Sequence, residues 1–379
     1  MEKNELLSLT FEEALKRLED VVDTLESGEV PLEKAIDLFQ DGMLLSQVCS
    51  QKLDNVEQKI ETLLEGSDGL VVKTFELEED REVKLFHLQD YLTEKKRQFE
   101  QALPAFLPTI GIPPMLAESM EYSLYAGGKR IRPILVLATL ESFGKDSQIG
   151  LPVACAVEMI HTYSLIHDDL PAMDNDDFRR GKPTNHKQYG EATAILAGDG
   201  LLTEAFRSVC GLQERGVEPT TVLNIICELS RYAGPQGMVG GQMADLLGEG
   251  KQLQLSELQY IHQHKTADLV IFCIRAGAYL SGASNEQMEL LTTFGRNIGL
   301  AFQIQDDILD VYGEEAKLGK AVGSDAANGK STYPSLLGLE ESQRQLNQLL
   351  EEAKEALYKA EIETHLLEAL ADFIVQRDQ

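Results

Sequence analysis

Basic residues are scarce in this sequence. Its 379 residues include 34 lysines and arginines against 63 aspartates and glutamates, for a formal net charge of -29. Binding to the phosphate backbone of DNA or RNA, or to an anionic membrane, requires clustered basic side chains. The composition therefore argues against direct binding to nucleic acid or to such membranes, and a polyanionic ligand would need a site that is locally basic or holds a metal ion.

A long apolar run, a signal peptide and paired cysteines are also lacking. No stretch of about 20 apolar residues is free of charge, so a membrane span is not indicated. The N-terminus, Met-Glu-Lys-Asn-Glu-Leu, lacks basic residues followed by an apolar run, and we expect a cytoplasmic protein. The five cysteines form no Cys-x-x-Cys pair, which predicts reduced core side chains: Cys49, Cys155, Cys210, Cys227 and Cys273.

Residues 1–66 carry the apolar spacing of two consecutive helices. Thr10 and Glu13 match a capping box, so a helix should begin there, and apolar residues then recur every three or four positions. Ser27-Gly28 should end this helix, and Pro31 suits the first turn of the next one. We predict an antiparallel helical hairpin whose seam is completed by a partner, because two such helices bury too little area to fold alone.

Three motifs stand in order in this hairpin: Phe11-Glu-Glu-Ala-Leu15, Leu25-Glu-Ser-Gly-Glu-Val-Pro-Leu-Glu33 and Phe39-x-x-Gly42. Together they resemble the small subunit of exonuclease VII over about residues 8 to 66. The resemblance implies a non-catalytic subunit that binds the large, nuclease-bearing subunit of exonuclease VII in the cytoplasm. The alternative is a generic acidic coiled coil.

Residues 67–84 have the composition of a linker. Glu76-Leu-Glu-Glu-Asp-Arg-Glu82 is a charged tract without apolar periodicity, and such tracts are solvated. If two reading frames had fused here, Val83-Lys-Leu-Phe-His-Leu88 would be a natural former start of the second protein.

Residues 85–379 predict a second, all-helical unit. Helical periods dominate this part, and glycine and proline fall at the boundaries between them. We expect a first helix over 90–103, ended by Pro104. The next helix should stop at Gly127-Gly128, where Lys129, Arg130 and Arg132 precede an apolar helix. Cations at such a helix start favour an anion, although the glycines could be a plain helix end and the cations surface residues.

The run Val153 to Ile166 predicts a core helix that ends in carboxylates. Asp168 and Asp169 follow it, and Asp174 comes six residues after Asp168, an offset that a continuous helix would turn away. Pro171 should interrupt the helix so that the chain loops back. Aspartates of this kind suit Mg2+, and the arginines that follow suit phosphate oxygens. A solvated acidic loop is the alternative.

A second acidic stretch lies about 140 residues later. Asp306 and Asp310 are spaced to share one face of a helix. Cations lie in the intervening and following sequence at Lys265, Lys320 and Lys330. Two acidic helix ends that face each other across a bundle, with these cations around them, predict a metal-diphosphate site.

Five motifs of the second unit occur in order: Gly127-Gly-Lys-Arg-Ile-Arg-Pro133; Asp168-Asp-Leu-Pro-Ala-Met-Asp174 with Arg179-Arg180; Gly241-Gln-x-x-Asp245; His264-Lys-Thr266; and Phe302-Gln-Ile-Gln-Asp-Asp-Ile-Leu-Asp310. They resemble a bacterial short-chain trans-prenyl diphosphate synthase, most closely a farnesyl diphosphate synthase, over about residues 85 to 379. The resemblance implies an all-α homodimer that condenses isopentenyl diphosphate with dimethylallyl and then geranyl diphosphate.

The same resemblance implies roles for individual residues. About three Mg2+ ions would be held, two by Asp168 and Asp174 with Asp169 in support, and one by Asp306 and Asp310. The allylic diphosphate would be bound by Arg179, Lys265, Thr266, Gln303, Lys320 and Lys330. Isopentenyl diphosphate would be bound by Lys129, Arg132, His161 and Arg180. Asp168, Asp169, Asp174, Arg179 and Lys265 would thus be the catalytic set.

Product length should depend on Tyr163, five residues before Asp168. An aromatic residue at this point, with the six-residue aspartate offset, resembles enzymes that stop at fifteen carbons; alternatively Tyr163 is simply a core residue. Asn175 stands where farnesyl enzymes often have aspartate and also occurs in geranylgeranyl enzymes, so a twenty-carbon product stays open. The chain ends at Gln376-Arg-Asp-Gln379, without the closing basic residue of many relatives.

Three rival functions differ in what they require. A metal phosphohydrolase could use His167-Asp168 but needs further convergent histidines, and the spacing of the other histidines does not supply them. A squalene-type or cyclase-type enzyme would not need the Gly-Gly-Lys-Arg-Ile-Arg-Pro stretch. The chain could also act mainly as a non-catalytic assembly subunit of exonuclease VII.

Overall fold

The computed structural model describes residues 11–26, 34, 42, 45, 88–107, 111–312 and 331–375. Contacts between Cα atoms divide the chain into two units, Met1–Val83 and Lys84–Gln379. The described residues are predominantly helical, as predicted, and their only strands are β1 (Phe178–Arg179) and β2 (Lys182–Pro183), which pair antiparallel.

The first unit contains helix α1 (Phe11–Glu26), whose ends agree with the predicted cap at Thr10 and the stop at Ser27-Gly28. Gly42 lies directly against this helix: a Cβ atom added at Gly42 would stand 3.1 Å from Cγ1 of Val21. Ala14 and Leu45 are fully buried. A close contact between α1 and the following segment is what a hairpin requires. The rest of the predicted second helix and the linker lie outside the described residues.

Fourteen helices are described in the second unit. They are α2 (Leu88–Ala102), α3 (Pro114–Leu124), α4 (Ile131–Ser142), α5 (Leu151–Asp168), α6 (Asn185–Tyr189), α7 (Glu191–Cys210), α8 (Pro219–Ala233), α9 (Met238–Gly248), α10 (Leu255–Ile261), α11 (Asp268–Ser281), α12 (Asn285–Tyr312), α13 (Tyr333–Leu337), α14 (Leu339–Lys359) and α15 (His365–Val375). A π-helical turn, His262–Ala267, joins α10 to α11. The helix predicted over 90–103 is α2, and Pro104 lies in a 3-10 turn that continues it.

Helix α5 is the central element of this unit. It packs against α4 and α7, and α4 packs in turn against α11. The stretch Ser147–Asp168 is long and apolar enough to cross a membrane, but 78% of its apolar 18-residue segment is buried inside the fold. That burial is typical of a core helix, because most of α5 packs against other helices of this unit.

The prediction of core cysteines is right for two positions and wrong for two others. Cys155 and Cys273 are buried, whereas Cys210 and Cys227 are exposed; all four are free. Cys210 is the last residue of α7, and Cys227 lies off the buried stripe that Val222, Ile225 and Leu229 form on α8. An apolar segment therefore did not guarantee an inward direction for each cysteine. Cys49 lies outside the described residues.

Candidate active site

The first acidic stretch follows the end of α5. The helix ends at Asp168, and the chain then turns back so that the backbone N–H of Asp174 donates to the carbonyl of Asp168 over 2.9 Å. Asn175 has a left-handed backbone (φ 54°) and its N–H donates to the carbonyl of Leu170 over 3.1 Å. The turn brings Asp174 back beside Asp168, as the position of Pro171 predicted.

Asp168 lines a cavity of about 570 Å3. Burial raises the pKa of Asp168 to about 6; the positive charge of Lys265 opposes this shift, and the negative charge of Asp174 adds to it. Asp168, Asp174 and Lys265 therefore share one electrostatic neighbourhood. Lys265 also lines the cavity, so an anionic group placed there would meet both a cation and a carboxylate that can hold a metal ion.

Asp169 points elsewhere. Its Oδ1 accepts a hydrogen bond from Nε of Arg179 over 2.6 Å, and its side chain is almost fully buried. Arg179 also pairs with Asp176 at 3.3 Å. Asp169 is not among the residues that line the large cavity. Its geometry suits holding Arg179 in place better than direct contact with a metal ion.

The glycines of the Gly127-Gly128 stretch make room for Arg180. Nη1 of Arg180 donates to the carbonyl of Gly127, and a Cβ atom at Gly128 would stand 2.9 Å from Cζ of Arg180. Gly128 also has φ +127°, which side chains rarely adopt. Two motifs more than fifty residues apart in sequence are thus in contact.

Three of the side chains predicted to bind isopentenyl diphosphate, the homoallylic substrate, lie near this contact. Their predicted binding site is called the homoallylic site below. Arg132 and His161 both line the 570 Å3 cavity. Nε of Arg132 is buried without a hydrogen-bond partner, so this edge of its guanidinium is available to an anion. Burial, together with the positive charge of Arg132, holds the pKa of His161 well below its usual value. Lys129 is exposed, with Nζ 5.9 Å from the centre of the Phe373 ring on α15.

The second acidic stretch lies on α12, and Asp306 lines a separate cavity of about 180 Å3. Lys265 and Gln303 also line it. Nζ of Lys265 donates to Oδ2 of Asp245 over 2.5 Å, and Oγ1 of Thr266 donates to Oε1 of Gln303 over 2.6 Å. Because Lys265 lines both cavities, it stands between the two acidic stretches, as two facing helix ends require.

Asp310 is fully buried and is absent from the lining of both cavities. Lys320 and Lys330 lie outside the described residues. The predicted site residues that the structure brings together are therefore those around Asp168, Lys265, Arg132 and Asp306.

Several contributing residues received no role in the sequence analysis. Asp245 pairs with Lys265. Gly241 in the same motif lets α9 approach the π-helical turn closely, because a Cβ atom at Gly241 would stand 2.1 Å from the backbone N of Lys265. Asp307 accepts from the backbone N–H of Tyr333 over 2.8 Å, and the ring of Tyr333 stacks on His262. The Gly241-Gln-x-x-Asp245 motif was a usable signal for Asp245, whereas nothing in the sequence marks the contact between α12 and Tyr333.

Tyr163 lies in the lining of the large cavity and is 5% exposed. Burial raises its pKa to about 12, and its ring stands edge-on to His167 with 5.8 Å between the ring centres. The rest of the lining around it is largely apolar, from Leu165, Leu170, Ala172, Met173, Ile195, Met238, Val239, Met243 and Leu246. The cavity therefore has charged groups at one part and apolar walls elsewhere.

The carboxylates fit Mg2+ in the manner that this ion prefers. Within 11–26, 88–107, 111–312 and 331–375, no three His, Cys, Asp or Glu side chains are close enough to hold a metal ion by themselves. Mg2+ in proteins commonly keeps several waters and is bound by one or two carboxylates plus phosphate oxygens. Asp168 beside Asp174, with the unpartnered Arg132 Nε on the same cavity, matches such shared binding.

Fold and site together define a helical enzyme with a cavity that combines charged groups and apolar walls. The chain belongs to the polyprenyl synthetase family: the profile of Polyprenyl synthetase matches residues 113–368. The profile of Exonuclease VII small subunit matches residues 11–62. Both resemblances predicted from sequence motifs are confirmed, and the chain is a prenyltransferase with an additional N-terminal segment.

Similar proteins cover the second unit almost completely. A farnesyl diphosphate synthase of Geobacillus stearothermophilus is 51% identical over 291 residues, 77% of this chain and 98% of the relative. A geranylgeranyl diphosphate synthase of Cyanophora paradoxa is 49% identical over 294 residues, 77% of this chain and 97% of the relative. The crystal structure of an FPP/GFPP synthase from Zymomonas mobilis matches with a TM-score of 0.68 at 37% identity, covering 76% of this chain and 98% of that one.

Proposed function

We propose that this protein is a Mg2+-dependent farnesyl diphosphate synthase, which condenses isopentenyl diphosphate with dimethylallyl and then geranyl diphosphate. The observation that carries the proposal is the 570 Å3 cavity, which has Asp168, Lys265 and Arg132 beside a largely apolar wall that includes Tyr163. Such a cavity suits a diphosphate with a prenyl tail. Relatives of similar identity include geranylgeranyl enzymes, so that product is the alternative.

The residue roles in this proposal follow from the family resemblance of the sequence motifs. Asp168 and Asp174 would hold Mg2+ on the allylic diphosphate, and Asp306 with Asp310 a further ion. The same diphosphate would be bound by Arg179, Lys265, Thr266, Gln303, Lys320 and Lys330. Isopentenyl diphosphate would be bound by Lys129, Arg132, His161 and Arg180. Asp169 would contribute by fixing Arg179, to which it is hydrogen-bonded.

The reaction needs stabilisation of a departing anion in a dry site. When bound, Mg2+ would supply positive charge that stabilises the leaving diphosphate. Lys265 and Arg179 would add hydrogen bonds to the same oxygens, so that the allylic C–O bond breaks and the bonding electrons leave with the diphosphate. The double bond of isopentenyl diphosphate then attacks the allylic cation. The new cation loses a proton to the departing diphosphate, while the apolar cavity wall keeps water away.

The assay supplies isopentenyl and geranyl diphosphates with Mg2+ and identifies the product alcohol after dephosphorylation. We expect Asp168→Ala to lower kcat about a hundredfold or more, the cost typical of removing a group that stabilises the transition state. Asp199→Ala is the matched control, since Asp199 is exposed on α7. Full activity in the Asp168 variant would refute its assigned role.

The N-terminal unit would serve a separate purpose. Its match to the exonuclease VII small subunit suggests a segment that binds the large subunit of that nuclease without contributing to prenyl transfer. Leu15 and Val22 of α1 are exposed apolar residues that such a partner could cover. We also expect a homodimer in the cytoplasm, with residues 1–66 as the hairpin, 67–84 as the linker and 85–379 as the synthase.

Co-purification tests this second role. The full chain mixed with an exonuclease VII large subunit should migrate as a complex, and a Leu15→Asp/Val22→Asp variant should lose the complex but keep prenyl transfer. Absence of a complex with the unaltered chain would mean that the segment has no such partner. A complex without any prenyl transfer in the unaltered chain would instead favour the role of a non-catalytic assembly subunit.

A further inference from the structure

A buried ion pair lies next to the candidate homoallylic site and has no role in the reaction described above. Arg130 and Glu158 are 4% and 2% exposed, and Nη1 of Arg130 donates to Oε1 of Glu158. Glu158 lies on α5, ten residues before Asp168. Two charges buried in this way are costly unless they are well paired and hydrogen-bonded.

Arg130 also fixes the backbone of the loop that precedes α4. Its Nη2 donates to the carbonyl of Leu124, the last residue of α3, over 2.7 Å. Arg130 itself has a left-handed backbone (φ 54°), a conformation that costs a non-glycine residue free energy and persists only where the surroundings enforce it. The guanidinium therefore ties the end of α3 to the start of α4 across Gly127-Gly128.

The loop held in this way contains Lys129 and leads directly into Arg132, the two residues assigned above to isopentenyl diphosphate. Lys129 is the immediate neighbour of Arg130, and Arg132 is two residues further on. Any rotation of the backbone at Arg130 would displace both. A fixed backbone at this position is therefore a condition for presenting the two cations together.

The charge of Glu158 reaches beyond its direct partner. Burial lowers the pKa of both Arg132 and Arg180, and the carboxylate of Glu158 counteracts that shift in each. One carboxylate thus stabilises three neighbouring guanidinium groups. Glu158 accepts a hydrogen bond from Arg130, and Nε of Arg132 is buried without a hydrogen-bond partner.

We propose that Arg130 and Glu158 are positioning residues for the homoallylic diphosphate. Glu158 engages Arg130, Arg130 fixes the loop that carries Lys129 and Arg132, and the remaining guanidinium groups are left for the ligand. Neither residue touches substrate. The inference rests on the proposed assignment of Lys129 and Arg132 to isopentenyl diphosphate.

The test compares Michaelis constants for the two substrates in Glu158→Gln, which removes the charge but preserves the shape of the side chain. We expect KM for isopentenyl diphosphate to rise about tenfold or more, which corresponds to about 1.4 kcal/mol, whereas KM for geranyl diphosphate should stay within about twofold. Glu158→Asp, which restores the charge, should recover part of the loss. A role in stability alone would not produce this split between substrates.

Glu228→Gln is the matched control. It removes the carboxylate of a second, less buried ion pair, in which Arg275 donates to both oxygens of Glu228 at 2.5 and 2.6 Å. This pair lines neither cavity. We expect this variant to lower the midpoint of thermal unfolding and to leave both KM values unchanged. Equal KM changes in the two variants would overturn the proposal, as would an unchanged KM for isopentenyl diphosphate in Glu158→Gln.

Two further variants keep the test decisive. If Glu158→Gln does not fold, Arg130→Lys keeps the buried positive charge but cannot donate to Glu158 and to the carbonyl of Leu124 through two arms of one guanidinium. This variant should show the same substrate split, and equal changes for both substrates would overturn the proposal. Arg132→Gln separates the inference from its premise. If it leaves KM for isopentenyl diphosphate unchanged, the assignment of Arg132 fails. If it raises that KM while Glu158→Gln does not, the positioning role alone fails.

Discussion

Tyr163 shows how one side chain could set the size of the product. It is nearly buried, yet it belongs to the lining of the same cavity as Asp168. Tyr163 precedes Asp168 by five positions, which corresponds to a rise of about 7.5 Å along α5. An aromatic ring at this depth would limit how far a prenyl chain can extend.

We expect Tyr163→Ala to shift the product from fifteen towards twenty carbons or more, because removal of the ring deepens the cavity. Chromatography of the dephosphorylated products measures the shift. Tyr232→Ala is a suitable control, since Tyr232 is also buried but lies on α8 away from both cavities. Unchanged farnesyl diphosphate as the sole product of the Tyr163 variant would show that this residue is not the floor.

At the scale of single residues, the sequence was a good guide wherever a local rule applied. Pro171 and the six-residue spacing were enough to predict that Asp174 returns to Asp168. The pairing of Asp169 with Arg179, and of Lys265 with Asp245, could not be predicted. Each pair forms only after tertiary packing has brought separate elements together, and spacing along the chain does not encode it.

At the scale of elements, the contact between α5 and α7 depends on a glycine. A Cβ atom added at Gly198 of α7 would stand 2.1 Å from Nε2 of His167, whose ring nitrogen contacts the carbonyl of Ile195 at 3.1 Å. His167 directly precedes Asp168 and contacts the ring of Tyr163. The absence of a side chain on α7 therefore keeps the end of α5 in place.

We expect Gly198→Ala to destabilise the fold by about 1–3 kcal/mol through overpacking and to lower prenyl transfer. Gly200→Ala offers a control on the same helix, because its added Cβ would meet only the flexible end of Met120 at 3.1 Å. That variant should be neutral or stabilising by up to about 1 kcal/mol, the helix propensity gained from glycine to alanine. Chemical unfolding and the prenyl transfer assay measure both effects; equal behaviour of the two variants would contradict the proposed packing role.

The helices themselves were largely predictable, since apolar periodicity and the positions of proline and glycine mark their ends. The π-helical turn at His262–Ala267 was not predicted, although Lys265 and Thr266 lie in it. Its extra residue per turn directs these side chains towards the cavities and towards Gln303, and periodicity alone does not reveal such local widening.

At the scale of the whole molecule, the chain joins two units with separate relatives. The curated synthases match 77% of this chain and nearly their own full length, so the second unit corresponds to a complete enzyme. We expect a protein limited to residues 84–379 to fold and to retain the kcat and KM of the full chain. Steady-state kinetics on both proteins measure this. A large loss of activity in the shorter protein would show that the N-terminal unit contributes to the synthase.

Glu158, His161, Tyr163 and Asp168 all lie on one continuous helix, α5. The proposed positioning carboxylate, the proposed ligand of isopentenyl diphosphate, the candidate floor and the proposed metal-binding carboxylate therefore cannot move independently of one another. Directed evolution of product length should accordingly favour substitutions of single residues along this helix over insertions or deletions within it. A one-residue insertion would rotate every residue beyond it by about 100 degrees, because the helix has 3.6 residues per turn. The side chains before and after the insertion would then lose their present relative orientation.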